Sequence, residues 1–242
     1  MNNHESNRPL RVFEKVIQGG LGKGNLGVIA SSHGTGKAAV LMSIAIDKAL
    51  QGSNVLQVTT YRSVGELRAY RDEVLNELEN SLSLPDRGAL QTLVERHTRF
   101  HTYRPSRSAS GVERPASFSI DRLRTTLTFA REHAEFSPDL LEIEGWPNFE
   151  TVSEQDLREL KILAQDFDCE IWLSDHTPAA SDVDKATGLP QNLVRFDSLF
   201  SVVIALRPEA QLVPLKFLKA HGNPIPEIHL SFDPKSMLLR WS

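Results

Sequence analysis

Short apolar runs alternate with amphipathic helical stripes between residues 26 and 174, and that order leaves few architectures open. Residues 26–30 (LGVIA) are an apolar run bounded by glycines, the pattern of a buried strand. Residues 37–51 follow as a helix with Val40, Leu41, Ile44 and Ala45 on its inner side, and 54–59 as the next strand. Val64, Leu67, Tyr70, Val74, Leu78 and Leu82 then recur at three- and four-residue spacing, which predicts a long helix. Residues 98–103 make a weaker strand. Ile120, Leu123, Leu127, Ala130 and Ala134 make the next helical stripe, and residues 139–144 (DLLEIE) the next strand. Ser153 with Asp156 reads as a capping box before a helix carrying Leu157, Leu160, Leu163, Ala164 and Phe167, and 170–174 as a further strand. Strands joined through helices imply a largely parallel sheet covered on both faces.

After a polar stretch at 177–192 the pattern changes. Residues 199–206, 212–219, 227–232 and 237–241 are strand-like with no helical stripe between them. Connections that short imply antiparallel hairpins added to one end of the parallel sheet. The expectation is therefore an α/β chain folded as one domain over 1–242. It has a lead-in at 1–20, an exposed Arg-, Ser- and Pro-rich loop at 104–117, and an antiparallel extension over 198–242.

Composition sets the setting. The net charge of −4 gives no general attraction to nucleic acid or anionic membrane, and a single cysteine, Cys169, can form neither an internal disulfide nor a thiolate metal site. The polar N-terminus lacks a secretory apolar stretch, and no run reaches the roughly 18–20 apolar residues of a membrane helix. The expected location is the cytoplasm, with no membrane partner.

Chemistry concentrates at GVIASSHGTGKAAVLM. A strand ends, the chain turns through Ser32, His33, Gly34, Thr35 and Gly36, and a helix begins at Lys37. Backbone amides in such a turn, with the helix N-terminus behind them, can cradle phosphate oxygens. Gly34 and Gly36 permit close backbone approach, and Lys37 would reach the β/γ-phosphates. The segment departs from the GxxxxGK-Ser/Thr template at both ends: Ser31 replaces its first glycine, and Ala38 replaces the hydroxyl residue that ligates Mg²⁺. The plainer reading is a glycine-rich connector between strand and helix.

On these residues the chain resembles the RecA-like P-loop ATPases of the KaiC and DnaB-helicase type. The stretch from LGVIASSHGTGK to the helix after the second strand is similar to their first βαβ unit. DLLEIEGW resembles their Walker B strand, with Glu144 where the family has aspartate. ELKILAQDFDCEIWLSDHT resembles the helix and strand that end in a γ-phosphate sensor, and the C-terminal strands resemble the closing hairpins. The resemblance implies a RecA-like core binding ATP or ADP with or without Mg²⁺, weak metal and catalytic roles for Glu144, a weak catalytic role for Asp175, and a homo-oligomer.

Several departures accompany it. Tyr61 stands where the family's water-orienting glutamate ends the second strand, and Asp175 replaces its sensor glutamine. Lys219 and His221 correspond to the lysine and arginine that reach a neighbouring subunit's phosphate. An arginine finger is worth about 10³–10⁵ in rate and a general base about 10²–10⁴. The implied function is nucleotide binding in a regulatory or assembly role with weak or absent hydrolysis. An active ATPase in a DNA-linked or conformational process, and a structural protein that no longer binds nucleotide, stay open.

Other residues carry two readings each. Glu142 and Glu144, on one strand, are read as facing opposite sides of the sheet, with Glu144 at the carboxyl end where ligands bind. His33 is read as an exposed loop residue before a phosphate donor, and Asp175 with His176 as an ordinary polar strand end before a catalytic pair. Trp146 is read as packing at least as readily as stacking on a base, and Cys169 as a core residue. The arginines at 99, 104, 107, 114, 122 and 124 are read as a solvated face rather than a nucleic-acid surface.

Overall fold

Apolar residues on both sides of a strand can be buried only by layers above and below it, and the central strands of this chain are apolar on both sides. In the computed structural model they form the middle of a sheet with helices on each face. The structure describes residues 17, 19–32, 34–82, 87–104, 106–107, 113–114, 118–176, 183–209, 211–225 and 228–241.

In chain order the elements begin with β1 (Leu26–Ser31), α1 (Lys37–Leu50), β2 (Val55–Thr59), α2 (Val64–Leu82), α3 (Arg87–His97) and β3 (Thr98–Thr102). A two-stranded hairpin follows, β4 (Ser106–Arg107) and β5 (Glu113–Arg114), then α4 (Ile120–His133), β6 (Leu140–Glu144), α5 (Glu154–Asp166) and β7 (Glu170–His176). The chain closes with α6 (Gln191–Val194), a 3₁₀ turn, β8 (Phe200–Leu206), β9 (Val213–Ala220), β10 (Leu230–Asp233) and β11 (Leu238–Trp241).

Nine strands make one sheet in the order β11-β10-β9-β8-β1-β7-β6-β2-β3. From β8 to β3 every pairing is parallel, and from β8 to β11 every pairing is antiparallel. The expected parallel sheet with antiparallel C-terminal strands is present, with one shift of boundary. β8 itself runs parallel to β1, so the antiparallel part starts at β9. Nothing local in 200–206 distinguishes the two directions; pairing with β1 decides it.

Alternation along the strands divides the core. Leu26, Val28 and Ala30 of β1 and Leu141 and Ile143 of β6 face one side, with Leu157, Leu160 and Leu163 of α5. Ile29 and Leu140 face the other, with α1 and the residues Phe232, Leu238 and Leu239 of the C-terminal strands. The antiparallel extension thus wraps over α1, and β11 packs against both α1 and α2. Where the strands cross the middle of the sheet, Trp172 lies flat against Gly27. A Cβ at Gly27 would come within 2.6 Å of that ring.

Helix starts follow the sequence in two cases. Ser153 caps α5 by accepting from the Asp156 amide at 3.0 Å, and Ser119 caps α4 by accepting from the Arg122 amide at 3.2 Å. α3 lies where no helix is expected; its stripe is only Leu90, Leu93 and Val94 among polar residues, and Val94 alone is fully buried. The loop expected at 104–117 contains the short β4–β5 hairpin, and most of its other residues lie outside the described ones. Among the described residues no helix is long and apolar enough to cross a membrane.

Candidate functional site

Parallel strands bring their carboxyl ends to one edge of the sheet, the edge at which open α/β folds bind ligands. Register sets which residues meet there: Ala30 of β1 is level with Asp175 of β7, and Thr59 of β2 with Glu144 of β6. A cleft of ≈ 630 Å³ opens at this edge, within the range of small-molecule sites. Its walls include the glycine loop from Gly34 to Ala38 on one side, and Tyr61, Arg62, Tyr70 and Glu144 on the other.

The loop wall is built from backbone. Gly36 is the residue before α1, with φ +99°, a left-handed conformation that favours glycine. A Cβ there would also collide with the Phe232 ring, so the C-terminal strand β10 packs directly under the loop. Among the described residues no side chain caps α1, and no acidic residue lies in its first turn. Its first-turn amides therefore have neither an intrahelical acceptor nor a side-chain cap. The Lys37 ammonium turns back onto the loop, donating to the carbonyls of Ser31 and Ser32 at 2.9 Å each and to Ser31 Oγ at 3.2 Å. Burial holds this amine below the ordinary lysine range, with Asp175 and Glu144 pulling the other way. Thr35 Oγ1 donates to the Ser32 carbonyl at 2.9 Å and shares a short hydrogen bond with Ser31 Oγ.

The opposite wall is built from side chains. Glu144 Oε1 accepts a short hydrogen bond from the Tyr61 hydroxyl and lies 3.4 Å from Arg62 Nη2. Arg62 stacks its guanidinium 5.0 Å from the centre of the Tyr70 ring and 5.5 Å from that of Tyr61. Burial and the Glu144 carboxylate push the Tyr61 hydroxyl well above the ordinary tyrosine range, so it stays a donor. Burial likewise pushes Tyr70 up to about 12, against the Arg62 charge. Beside the loop, Asp175 is buried at 2% exposure and accepts from Asn192 Nδ2 at 3.0 Å. Arg195 fastens the segment after β6 by donating to the carbonyls of Phe149 at 2.9 Å and Val152 at 3.0 Å.

Beneath the cleft lies a pocket of ≈ 20 Å³, roughly the room one water needs, lined by Ala38, Gln57, Arg62, Glu142 and Glu144 among others. Glu142 and Glu144 therefore share a face. The expectation of opposite faces is corrected: residues two apart on a strand point the same way, toward α1 here. Gln57 Nε2 donates to Glu142 Oε2 at 2.6 Å, while Gln57 Oε1 and Glu142 Oε1 are buried without a protein partner. Burial, opposed by the Gln57 bond, holds the Glu142 carboxyl well above the ordinary glutamate range.

No family model and no curated protein matches this chain.

Of the residues singled out from sequence, Gly34, Thr35, Gly36, Lys37, Ala38, Glu144 and Asp175 all line the one cleft, and the Ser32 carbonyl holds Lys37 just behind it. His33 lies outside the described residues, as do the side chains of His176, Arg107 and Arg114. Lys219 and His221 lie elsewhere. Lys219 is level with Val203 in the middle of β8, and its ammonium reaches back to Asp197 Oδ1, ahead of that strand, at 2.6 Å. His221 Nε2 lies 3.0 Å from the Gly20 carbonyl. Trp146 packs on Phe118 with ring centres 4.7 Å apart, and Cys169 is fully buried, its thiol pushed up to about 12 mainly by burial. Among the described residues no group of three or more His, Cys, Asp or Glu could hold a metal ion. Arg62, Asn192 and Arg195 carried no signal in the sequence, and Tyr70 was read only as part of a helical stripe. Their place at the site becomes visible only when the fold brings their segments to the sheet's carboxyl edge.

Proposed function

We propose that the protein binds a nucleotide, ATP or ADP, with its phosphates on the loop at Gly34–Ala38, and that it hydrolyses ATP weakly or not at all. One observation carries this reading. The glycine loop, its uncapped helix N-terminus and Lys37 line the same ≈ 630 Å³ cleft as the ends of the Walker B-like strand β6 and the sensor-like strand β7. Amides and an ammonium lining one hollow are the chemistry a polyphosphate needs. The adjacency of β1, β7 and β6 in the sheet also supports a RecA-like core.

Binding requires Lys37 to exchange its carbonyl partners for phosphate oxygens, a trade of neutral acceptors for charged ones that favours the ligand. Turnover has less support. Tyr61 offers a hydroxyl already donated to Glu144, and Asp175 is buried against Asn192. Neither is a free base at the cleft. A role in regulation or assembly, through a nucleotide-bound and a nucleotide-free form, follows more readily than one driven by repeated hydrolysis.

Isothermal titration of ATP and ADP into the wild type and Lys37→Ala tests binding. The expected result is saturable binding to the wild type and its loss in the variant. A turnover assay tests the second half: hydrolysis at about 1 s⁻¹ or faster, the range of ordinary enzymes, abolished in Lys37→Ala, refutes the weak-hydrolysis reading.

A further inference from the structure

We infer that this cleft takes nucleotide phosphates without Mg²⁺, the Arg62 guanidinium supplying the positive charge that a bound cation otherwise supplies. The inference rests on the nucleotide-binding reading and adds which charge accompanies the phosphates.

A Mg²⁺ ion bridging phosphates needs oxygen ligands in a near-octahedral shell, with the loop's Ser/Thr hydroxyl and a Walker B carboxylate as the protein's share. The hydroxyl is absent and the carboxylate is already engaged. Position 38 is alanine and presents no side-chain oxygen. Glu144 Oε1 already holds the Tyr61 hydroxyl and faces Arg62 at 3.4 Å, and Asp175 Oδ2 accepts from Asn192. The donor set does not fit the ion.

What occupies the ground between Ala38 and Glu144 is a cation belonging to the chain. Arg62 lines the small pocket together with Ala38 and Glu144, and also lines the cleft above it. Its backbone is fixed from two directions: its amide donates to Thr59 Oγ1 at 3.3 Å, and its carbonyl accepts from Thr102 Oγ1 at 2.7 Å. The Tyr70 ring supports the guanidinium plane at 5.0 Å. A guanidinium carries five N–H donors, and the long contact to one Glu144 oxygen leaves most of them for a second acceptor. Arginine can grip phosphate through two parallel bonds and keeps its charge at any working pH. With Arg62 and the Tyr61 hydroxyl against it, the Glu144 charge is offset rather than aimed at an incoming anion. Lys37 from the loop and Arg62 from β2's end then bracket the phosphates from both walls.

Isothermal titration of ADP and ATP in EDTA and in millimolar Mg²⁺ tests the inference on the wild type, with no variant needed. Dissociation constants agreeing within about threefold are expected. Arg62→Met, which keeps the apolar stem, should weaken binding in EDTA by about 10–150-fold, the range for losing a charged hydrogen-bonding partner, and Arg62→Lys should recover part of it. Binding in Mg²⁺ that weakens tenfold or more in EDTA overturns the inference and leaves the nucleotide reading standing. Unchanged EDTA affinity in a folded Arg62→Met also overturns it. No binding in either buffer removes the nucleotide reading and this inference with it.

Discussion

The two walls of the cleft are made of different material. On the loop wall the usable groups are backbone amides and one lysine, held by two glycines and a helix start without a cap. On the facing wall they are the side chains of Tyr61, Arg62 and Glu144, already bonded to one another. The first wall has unmet capacity for an anion; the second has little capacity left for a metal or a water molecule. Holding a phosphate draws on the first kind of wall and, on the second, on the Arg62 guanidinium alone. Cleaving one needs free, poised groups on the second, which is why the proposal separates binding from hydrolysis.

The largest effect should come from breaking the loop wall. Gly36→Ala places a side chain at φ +99° and against Phe232, costs of about 1–3 kcal/mol each for strain and for overpacking. Thermal unfolding should show a marked drop in Tm, and nucleotide binding should be lost. Lys37→Ala leaves the fold in place, because the amine meets only loop carbonyls and a hydroxyl. It should weaken ADP about 10–150-fold in calorimetry, and near-wild-type affinity would mean that the loop wall does not carry binding.

Apart from Arg62, changes on the facing side and beneath it should act on stability and spare affinity. Burial raises the folded Glu142 carboxyl above its unfolded value. The stability it contributes is full below the ordinary glutamate range and is lost as pH rises through the raised folded value. Glu142→Gln keeps a neutral partner for Gln57 and removes that loss. At pH 8 its Tm should rise by about 2–4 °C, the shift that roughly 1 kcal/mol gives a chain of this size, with no gain near pH 4. A Tm difference independent of pH would contradict the raised carboxyl. The smallest change belongs to Tyr61→Phe, which removes one hydroxyl from Glu144 at a half-exposed residue. A cost of about 0.5–1.5 kcal/mol in chemical denaturation is expected, with ADP affinity within about threefold.

What was legible in the sequence follows the same division. The loop wall is local: Gly34, Gly36 and Lys37 lie within four residues, between an apolar run and a helical stripe, and no distant partner is needed to see them. The central strands were legible because burial on both faces leaves continuous apolar runs such as Leu26–Ser31. The facing wall depends on β2 and β6 becoming neighbours, a pairing that no local pattern encodes. Tyr61 stood out only through the resemblance, and Arg62 beside it not at all. α3 escaped notice because its apolar stripe is short and its packing relies on neighbours; Arg71, buried on α2, lies 3.5 Å from Glu95 of α3. The direction of β8 was equally unreadable, being set by β1 and not by its own residues.

The claim beneath all of this is that phosphates sit on the loop wall. Backbone amide NMR of the labelled protein, titrated with ADP, observes that wall directly. The account predicts that the largest shifts fall on Gly34, Gly36, Lys37 and Ala38, with smaller ones at Arg62. Saturating ADP that leaves these amides unmoved, or that shifts instead the distant groove beside Phe217 and Ile225, would contradict it.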